Sequence, residues 1–331
     1  MWFPKLFKHM RSNLLYPIAF VAAFFCLNVS ALKAQNLNLA NQYYQNGEYE
    51  KAAALFAQLL ERDNDSELFF SRYVDCLLNL EQYDECEKVI KKQLKKTPEN
   101  VTLYVTYGGL FDRQEKTDEA KAQYQRAIEK MAPDYVSVNR LASLFMSSGK
   151  YDFATQTYEK GAKLMKDPNR FAFNLGELYR RKGEPAKMIE YYLSALIADP
   201  GKIYTIQTLL ARYLAPSDFT ELQTQLYSRI QADENPDLVE LLAWSFVQRK
   251  DFKSALRQYK ALDKRLSEDG QRIFNLANDA ADARDYDTAI SGYDYIVAEK
   301  GQLNQYFFDS KREAMECRRR SRRGLPIPRT T

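Results

Sequence analysis

Imidazole chemistry could rest on one residue only, His9. It lies in an N-terminal stretch that reads as a leader removed on export, so the mature chain is expected to hold no histidine. That excludes Ser-His-Asp and Cys-His nucleophilic catalysis, His-ligated zinc and histidine proton switching. Beyond the leader stand three cysteines, Cys76, Cys86 and Cys317. An odd number argues against a disulfide framework. Cys76 and Cys86 are near enough in sequence to pair, but both fall at buried-looking helix positions, where Cys acts as a small apolar filler. The acid pairs Asp63/Asp65 and Asp282/Asp285 are of a kind common on solvated surfaces, and no Gly-rich phosphate loop, CxxC or Gly-x-Ser-x-Gly occurs. The expectation is no catalytic residue, no metal and no cofactor.

The leader assignment rests on layout. Lys5, Lys8, His9 and Arg11 make a basic start, and an apolar run from Leu14 to Ala31 follows. Val29-Ser30-Ala31 and Leu32-Lys33-Ala34 each offer small residues for cleavage, so the mature chain would begin at Leu32 or Gln35. The competing reading is an uncleaved inner-membrane anchor, a marginal span because Pro17 and Asn28 interrupt it. Lipidation at Cys26 is a weaker third option. All three place the remainder outside the cytoplasm, in the periplasm or another extracytoplasmic space.

Charge narrows the partners. The net charge of +4 among 331 residues equals the four bases of residues 1–34, which carry no acid. Six more arginines lie in 318–331, so the body is mildly acidic. A folded nucleic-acid-binding domain, which needs an electropositive face, is not expected. Any membrane contact would run through the N-terminal segment if it stays uncleaved.

These residues must be positioned by the elements that carry them, and those elements repeat. Rows of 34 residues begin at 33, 67, 101, 135, 169 and 203, and after one deletion at 236 and 270. The eighth column reads Ala40, Val74, Gly108, Ala142, Gly176, Leu210, Ala243, Ala277. The twentieth reads Ala52, Cys86, Ala120, Ala154, Met188, Leu222, Ala255, Ala289. Columns eleven, seventeen and twenty-four are bulky, the last holding Phe56, Ile90, Tyr124, Tyr158, Tyr192, Leu226, Tyr259 and Tyr293. Small columns mark where two antiparallel helices touch, and bulky ones fill the space between pairs. Gly47, Gly149 and Gly183 fall between the two helices of a row. The sixth row, with Leu210 and Leu222 in the small columns, is expected to be splayed.

The third row (Tyr104, Tyr107-Gly108, Phe111, Ala120, Tyr124) and the fifth (Ala172, Leu175-Gly176, Tyr179, Met188, Tyr192, Pro200) carry a resemblance to the tetratricopeptide repeat, of the kind found in exported proteins of Gram-negative bacteria. The resemblance implies an all-α, right-handed superhelical solenoid of about eight helix-turn-helix repeats plus one extra helix. The expected organisation is a leader over 1–34, a solenoid over 35–303, an unpaired or capping helix over 304–317 and a basic disordered tail over 318–331. The missing second helix of a ninth repeat reads as the front portion of a longer protein.

The resemblance also implies a groove lined by first helices, with contacts at columns two, five, nine, twelve and thirteen. Carried over, the partner-binding residues are Arg113, Asn139, Arg170, Phe173, Glu177, Arg180, Arg181 and Trp244. Arg170, Arg180 and Arg181 form a local basic patch, and guanidinium forks suit carboxylate or phosphate. The alternative is that Arg180-Arg181-Lys182 is a solvated helix end whose bases suit the helix dipole. Trp244 adjoins a close-packing column and reads equally as core. The Lys and Asn pattern that binds chaperone C-terminal carboxylates is absent. The implied function is a non-catalytic scaffold of the cell envelope binding a protein or peptide. Two alternatives stay open: the sensory or secretion/assembly-factor portion of a larger envelope protein, and a carbohydrate- or peptidoglycan-associated binder using Tyr44, Phe173, Tyr204 and Trp244.

Overall fold

The computed structural model describes residues 36–63 and 66–323. The expected leader and the last eight residues lie outside that range. Seventeen α-helices and no strand occur among the described residues. They fall into two compact units, divided after Met131. The first unit holds α1 (36–45) with α2 (Tyr49–Arg62), α3 (Glu67–Asn79) with α4 (Tyr83–Lys96), and α5 (Val101–Arg113) with α6 (Thr117–Lys130). The second holds α7 (Tyr135–Ser147) with α8 (Tyr151–Leu164), α9 (Ala172–Lys182) with α10 (Pro185–Ala198), and α11 (Ile203–Tyr213) with α12 (Asp218–Ala232). It continues through α13 (Pro236–Gln248) with α14 (Phe252–Leu266), α15 (Gln271–Asp282) with α16 (Tyr286–Glu299), and the single α17 (Phe307–Arg323). The fold is therefore a run of helix-turn-helix repeats plus one helix, with first helices beginning within a few residues of the sequence rows.

Each turn is closed the same way. In seven of the eight pairs the residue at column fifteen has positive φ, and the next N–H donates to the carbonyl five positions back at 2.8–3.1 Å. This left-handed closure satisfies carbonyls at the helix end that would otherwise lack donors. Gly47, Gly149 and Gly183 adopt it without steric cost. Glu81, Glu115, Lys250 and Arg284 adopt it as strained non-glycine residues.

The sixth pair is the exception. Ser217, at its column fifteen, is right-handed, with Pro216 just before it. Leu210 and Leu222 are both fully buried at the columns that are small elsewhere. Two large side chains in that seam hold α11 and α12 apart, so α12 packs on α10 and α13 while α10 reaches α13 directly. This is the splaying expected from the row.

In the first unit, one core cluster joins Ala40, Ala52, Phe56, Leu59, Phe69 and Cys76, and a second joins Phe70, Val74, Leu77, Cys86, Ile90, Leu103, Tyr107 and Leu110. Cys76, Cys86 and Cys317 are buried free thiols. Burial raises the Cys76 thiol to about 11 and the Cys86 thiol to about 12, so both stay protonated and unreactive. In the second unit Tyr158, Tyr192, Tyr293, Phe145 and Phe171 are fully buried.

The C-terminal end differs from expectation. The last helix does not stop at Cys317: α17 continues through Arg323. Three of the arginines read as a disordered tail are instead tied down. Arg318 donates twice to Asp294 on α16 at 2.6 Å, and Arg319 and Arg320 bind Glu316 one turn back at 2.8–2.9 Å. Phe307, Ala314 and Cys317 form the buried side of this helix. Its column-eight residue is the exposed Lys311, where the other first helices carry glycine or an apolar side chain.

Candidate partner-binding face

The polar groups of the first helices are set from behind. At column eight of the third and fifth repeats stands glycine, because a Cβ on Gly108 or Gly176 would collide with the ring of Tyr124 or Tyr192 from the second helix. The missing Cβ lets each ring cross the seam, so that its hydroxyl emerges on the first-helix side. Tyr124 donates to Asp112 at 2.5 Å and Tyr192 to Glu177. Across alanine at column eight, Tyr158 donates to Asn139 at 3.3 Å and Tyr293 to Asn278 at 2.6 Å. Burial, reinforced by the neighbouring carboxylates, keeps the Tyr124 and Tyr192 hydroxyls protonated as donors. A recurring tyrosine thus fixes an acceptor on each of four first helices.

The sequence-expected residues divide into three groups. Asn139, on α7, accepts from Tyr158 and also from the Asn174 amide of α9 at 2.9 Å, which locks two successive first helices together. Phe173 leans on Tyr192 at 5.7 Å and is half-buried. Glu177 takes the Tyr192 hydroxyl on one oxygen and the Arg180 guanidinium on the other, at 3.0 and 3.2 Å. Burial opposes ionisation of Glu177, but the Arg180 and Tyr192 hydrogen bonds outweigh it and hold the carboxyl below its ordinary range. Arg180 also lies over the Tyr213 ring at 4.4 Å. These four residues are part of the internal packing.

The second group is exposed. Arg181 extends to solvent and makes no ion pair among the described residues. Arg170 is exposed too, its guanidinium 5.3 Å from the centre of the Tyr135 ring. The basic patch expected from three arginines therefore reduces to Arg170 and Arg181, because Arg180 is neutralised by Glu177. Arg113 is exposed at the end of α5 in the other unit.

Trp244 makes the third group. It is half-buried, tilted against Phe219 at 6.2 Å, and its free edge lines a shallow recess with Tyr204, Gln207, Thr208, Ala211 and Arg212. Tyr204 is 74% exposed there. Gln207, Thr208 and Arg212 were not singled out from the sequence, although helical spacing from Tyr204 puts them on one face of α11. Glu240 is held by Arg272 at 2.9 Å, and Phe274 is stacked on Tyr306 at 5.0 Å. Among the described residues no cluster of His, Cys, Asp and Glu could hold a metal ion.

Comparison with known proteins agrees with this architecture. Tetratricopeptide-repeat family profiles match residues 37–106 and 139–203. Both stretches thus match the tetratricopeptide repeat. The chain is similar to a TPR repeat-containing protein of Methanocaldococcus jannaschii, 25% identical over 162 residues. That match spans 49% of this chain and 28% of the relative, so the chain covers little more than a quarter of the curated relative it matches. Among solved structures it is similar to a TPR protein of Thermus thermophilus, 18% identical over 55% of this chain and 98% of that one, with a TM-score of 0.30. The C-terminal part of a TPR repeat-containing protein of Cytophaga hutchinsonii is 18% identical over 82% of this chain and 98% of that one, also with a TM-score of 0.30.

Proposed function

We propose that this chain is a non-catalytic scaffold that binds a protein or peptide partner across the first-helix face of its repeats. The observation that carries this reading is the set of acceptors held from behind by tyrosine hydroxyls. Such groups lose little entropy when a partner docks, which favours binding. Around them Arg170 and Arg181 offer uncommitted guanidinium forks, suited to acidic side chains of the partner.

The basic and apolar N-terminus supports export, so the partner is proposed to be an envelope protein. N-terminal sequencing of the mature chain tests this, with Leu32 or Gln35 as the expected first residue. For the face itself, affinity capture from envelope extract should recover a partner with the wild-type chain and at least tenfold less with Arg170→Glu/Arg181→Glu. Equal recovery would remove the face from consideration. Arg180 is unsuitable for this test because its replacement would unpair Glu177. A second reading, glycan binding, is favoured by the exposed Tyr204 beside Trp244. A glycan array probed with wild type and Trp244→Ala separates it from peptide binding.

A further inference from the structure

The second-helix side of the first unit carries an opening that the neighbouring repeat closes. Column seven is tyrosine in two rows only, at Tyr73 and Tyr107. Tyr107 donates to Glu87 of the preceding second helix at 2.5 Å, and Lys91 binds the same carboxylate at 2.8 Å. Glu87 and Lys91 stand at columns twenty-one and twenty-five of their row. In the row before Tyr73 those columns hold Ala53 and Ala57. Ala53 is buried in the core, while the short Ala57 side chain borders a slot of about 510 Å³ between α2 and α4, with Leu60, Phe70, Tyr73 and Val89 among its other walls. The Tyr73 hydroxyl has no hydrogen-bond partner among the described residues, whereas its counterpart has two neighbours to satisfy it.

The rim is asymmetric. Lys88, Lys92 and Lys96 line it from α4 at successive helical turns, and Glu61 stands opposite on α2. Lys88 is loosely paired with Glu85 at 3.4 Å, while Lys92 and Lys96 have no ion-pair partner among the described residues. The lining of α4 runs from Glu85 to Lys96, about 16 Å at the helical rise, or three turns. A helix with acids four residues apart meets such a lysine row turn for turn.

We propose that the slot between α2 and α4 receives an amphipathic helix of a partner protein, apolar where it enters over Phe70, Tyr73 and Val89 and acidic along the flank facing Lys88, Lys92 and Lys96. This site is separate from the first-helix face and does not depend on it.

The probe is a fluorescein-labelled 14-residue helical peptide with leucine on one face and glutamate at i, i+4 and i+8 on its flank. An isomer carrying lysine at those three positions is the control. Fluorescence anisotropy with the full chain should give at least tenfold tighter binding of the glutamate peptide. Lys92→Glu/Lys96→Glu, confined to exposed positions, should weaken it at least tenfold. Ala53→Glu/Ala57→Lys installs the plug of the next repeat and should abolish binding with unchanged helix content by circular dichroism. Equal affinity for the two peptides, no binding of either, or binding that survives the plug would overturn the proposal. So would concentration-dependent self-association that the plug removes, since the occupant would then be a second copy of the chain.

Discussion

At the residue scale, the seven left-handed turn positions divide by cost. Glycine holds that conformation freely, whereas an L side chain pays roughly 1–2 kcal/mol. Glu81→Gly, Glu115→Gly, Lys250→Gly and Arg284→Gly should each stabilise the chain by about 0.5–1 kcal/mol, the remainder being offset by glycine's larger unfolded-state entropy. Chemical denaturation checks this, and a uniform loss of stability would contradict the turn geometry. The converse holds in the seam. Gly176→Ala should cost about 1–3 kcal/mol, because the Tyr192 ring has no room to withdraw. Tyr192→Phe should cost about 1 kcal/mol and raise the Glu177 carboxyl, readable by NMR titration, since one of its two donors is lost.

At the element scale, the most buried ion pair among the described residues ties α14 to the end of α16. Asp263 is 1% exposed, accepts from Tyr295 at 2.8 Å and pairs with Lys300 at 2.6 Å. Removing one partner leaves a buried charge, so Lys300→Ala should lower stability by about 3–5 kcal/mol. Asp263→Leu/Lys300→Met, which removes both charges, should recover most of it. The end of α17 depends on pH instead. Hydrogen bonds from Arg319, then Arg320, hold the half-buried Glu316 carboxyl down at about 2. A depressed acid contributes its stability above the ordinary carboxylate value and loses it as pH falls through the lowered one. The last turn of α17 should therefore fray between pH 4.5 and about 2. Loss of helix in that window, absent in Glu316→Gln, is the expected circular dichroism signature.

At the scale of the whole molecule, stability is shared among neighbouring pairs and need not be uniform. Within the second unit the weak place is the splayed sixth pair, where α11 has little contact with its own partner helix. Hydrogen exchange should be fastest over residues 203–232 among the helices of that unit. Protection there equal to α9 and α10 would show that Leu210 and Leu222 compensate fully for the lost seam.

The helices, their pairing and the one irregular pair were legible in the sequence because small and bulky side chains recur with a fixed beat, and packing between near neighbours in the chain obeys that beat. Even the splaying of α11 and α12 followed from two leucines. What a column cannot record is which polar group a side chain has already taken. Arg180 and Arg181 are adjacent and chemically identical, yet one is bound to Glu177 and stacked on Tyr213 while the other is open to solvent. Trp244, undecided between core and face, lies on the rim of both. Arg318, Arg319 and Arg320 read as loose until Asp294 and Glu316 came within reach. Tyr73 and Tyr107 look equivalent until the preceding second helices, with two alanines in one case and a Glu–Lys pair in the other, are brought alongside. Local periodicity set the architecture, because each repeat buries its apolar faces against its nearest neighbours. The division into committed and available polar groups required the folded chain, because hydrogen bonds and ion pairs are short-ranged and many of the partners, such as Tyr124 with Asp112 and Asn174 with Asn139, lie on separate helices 12 to 35 residues apart.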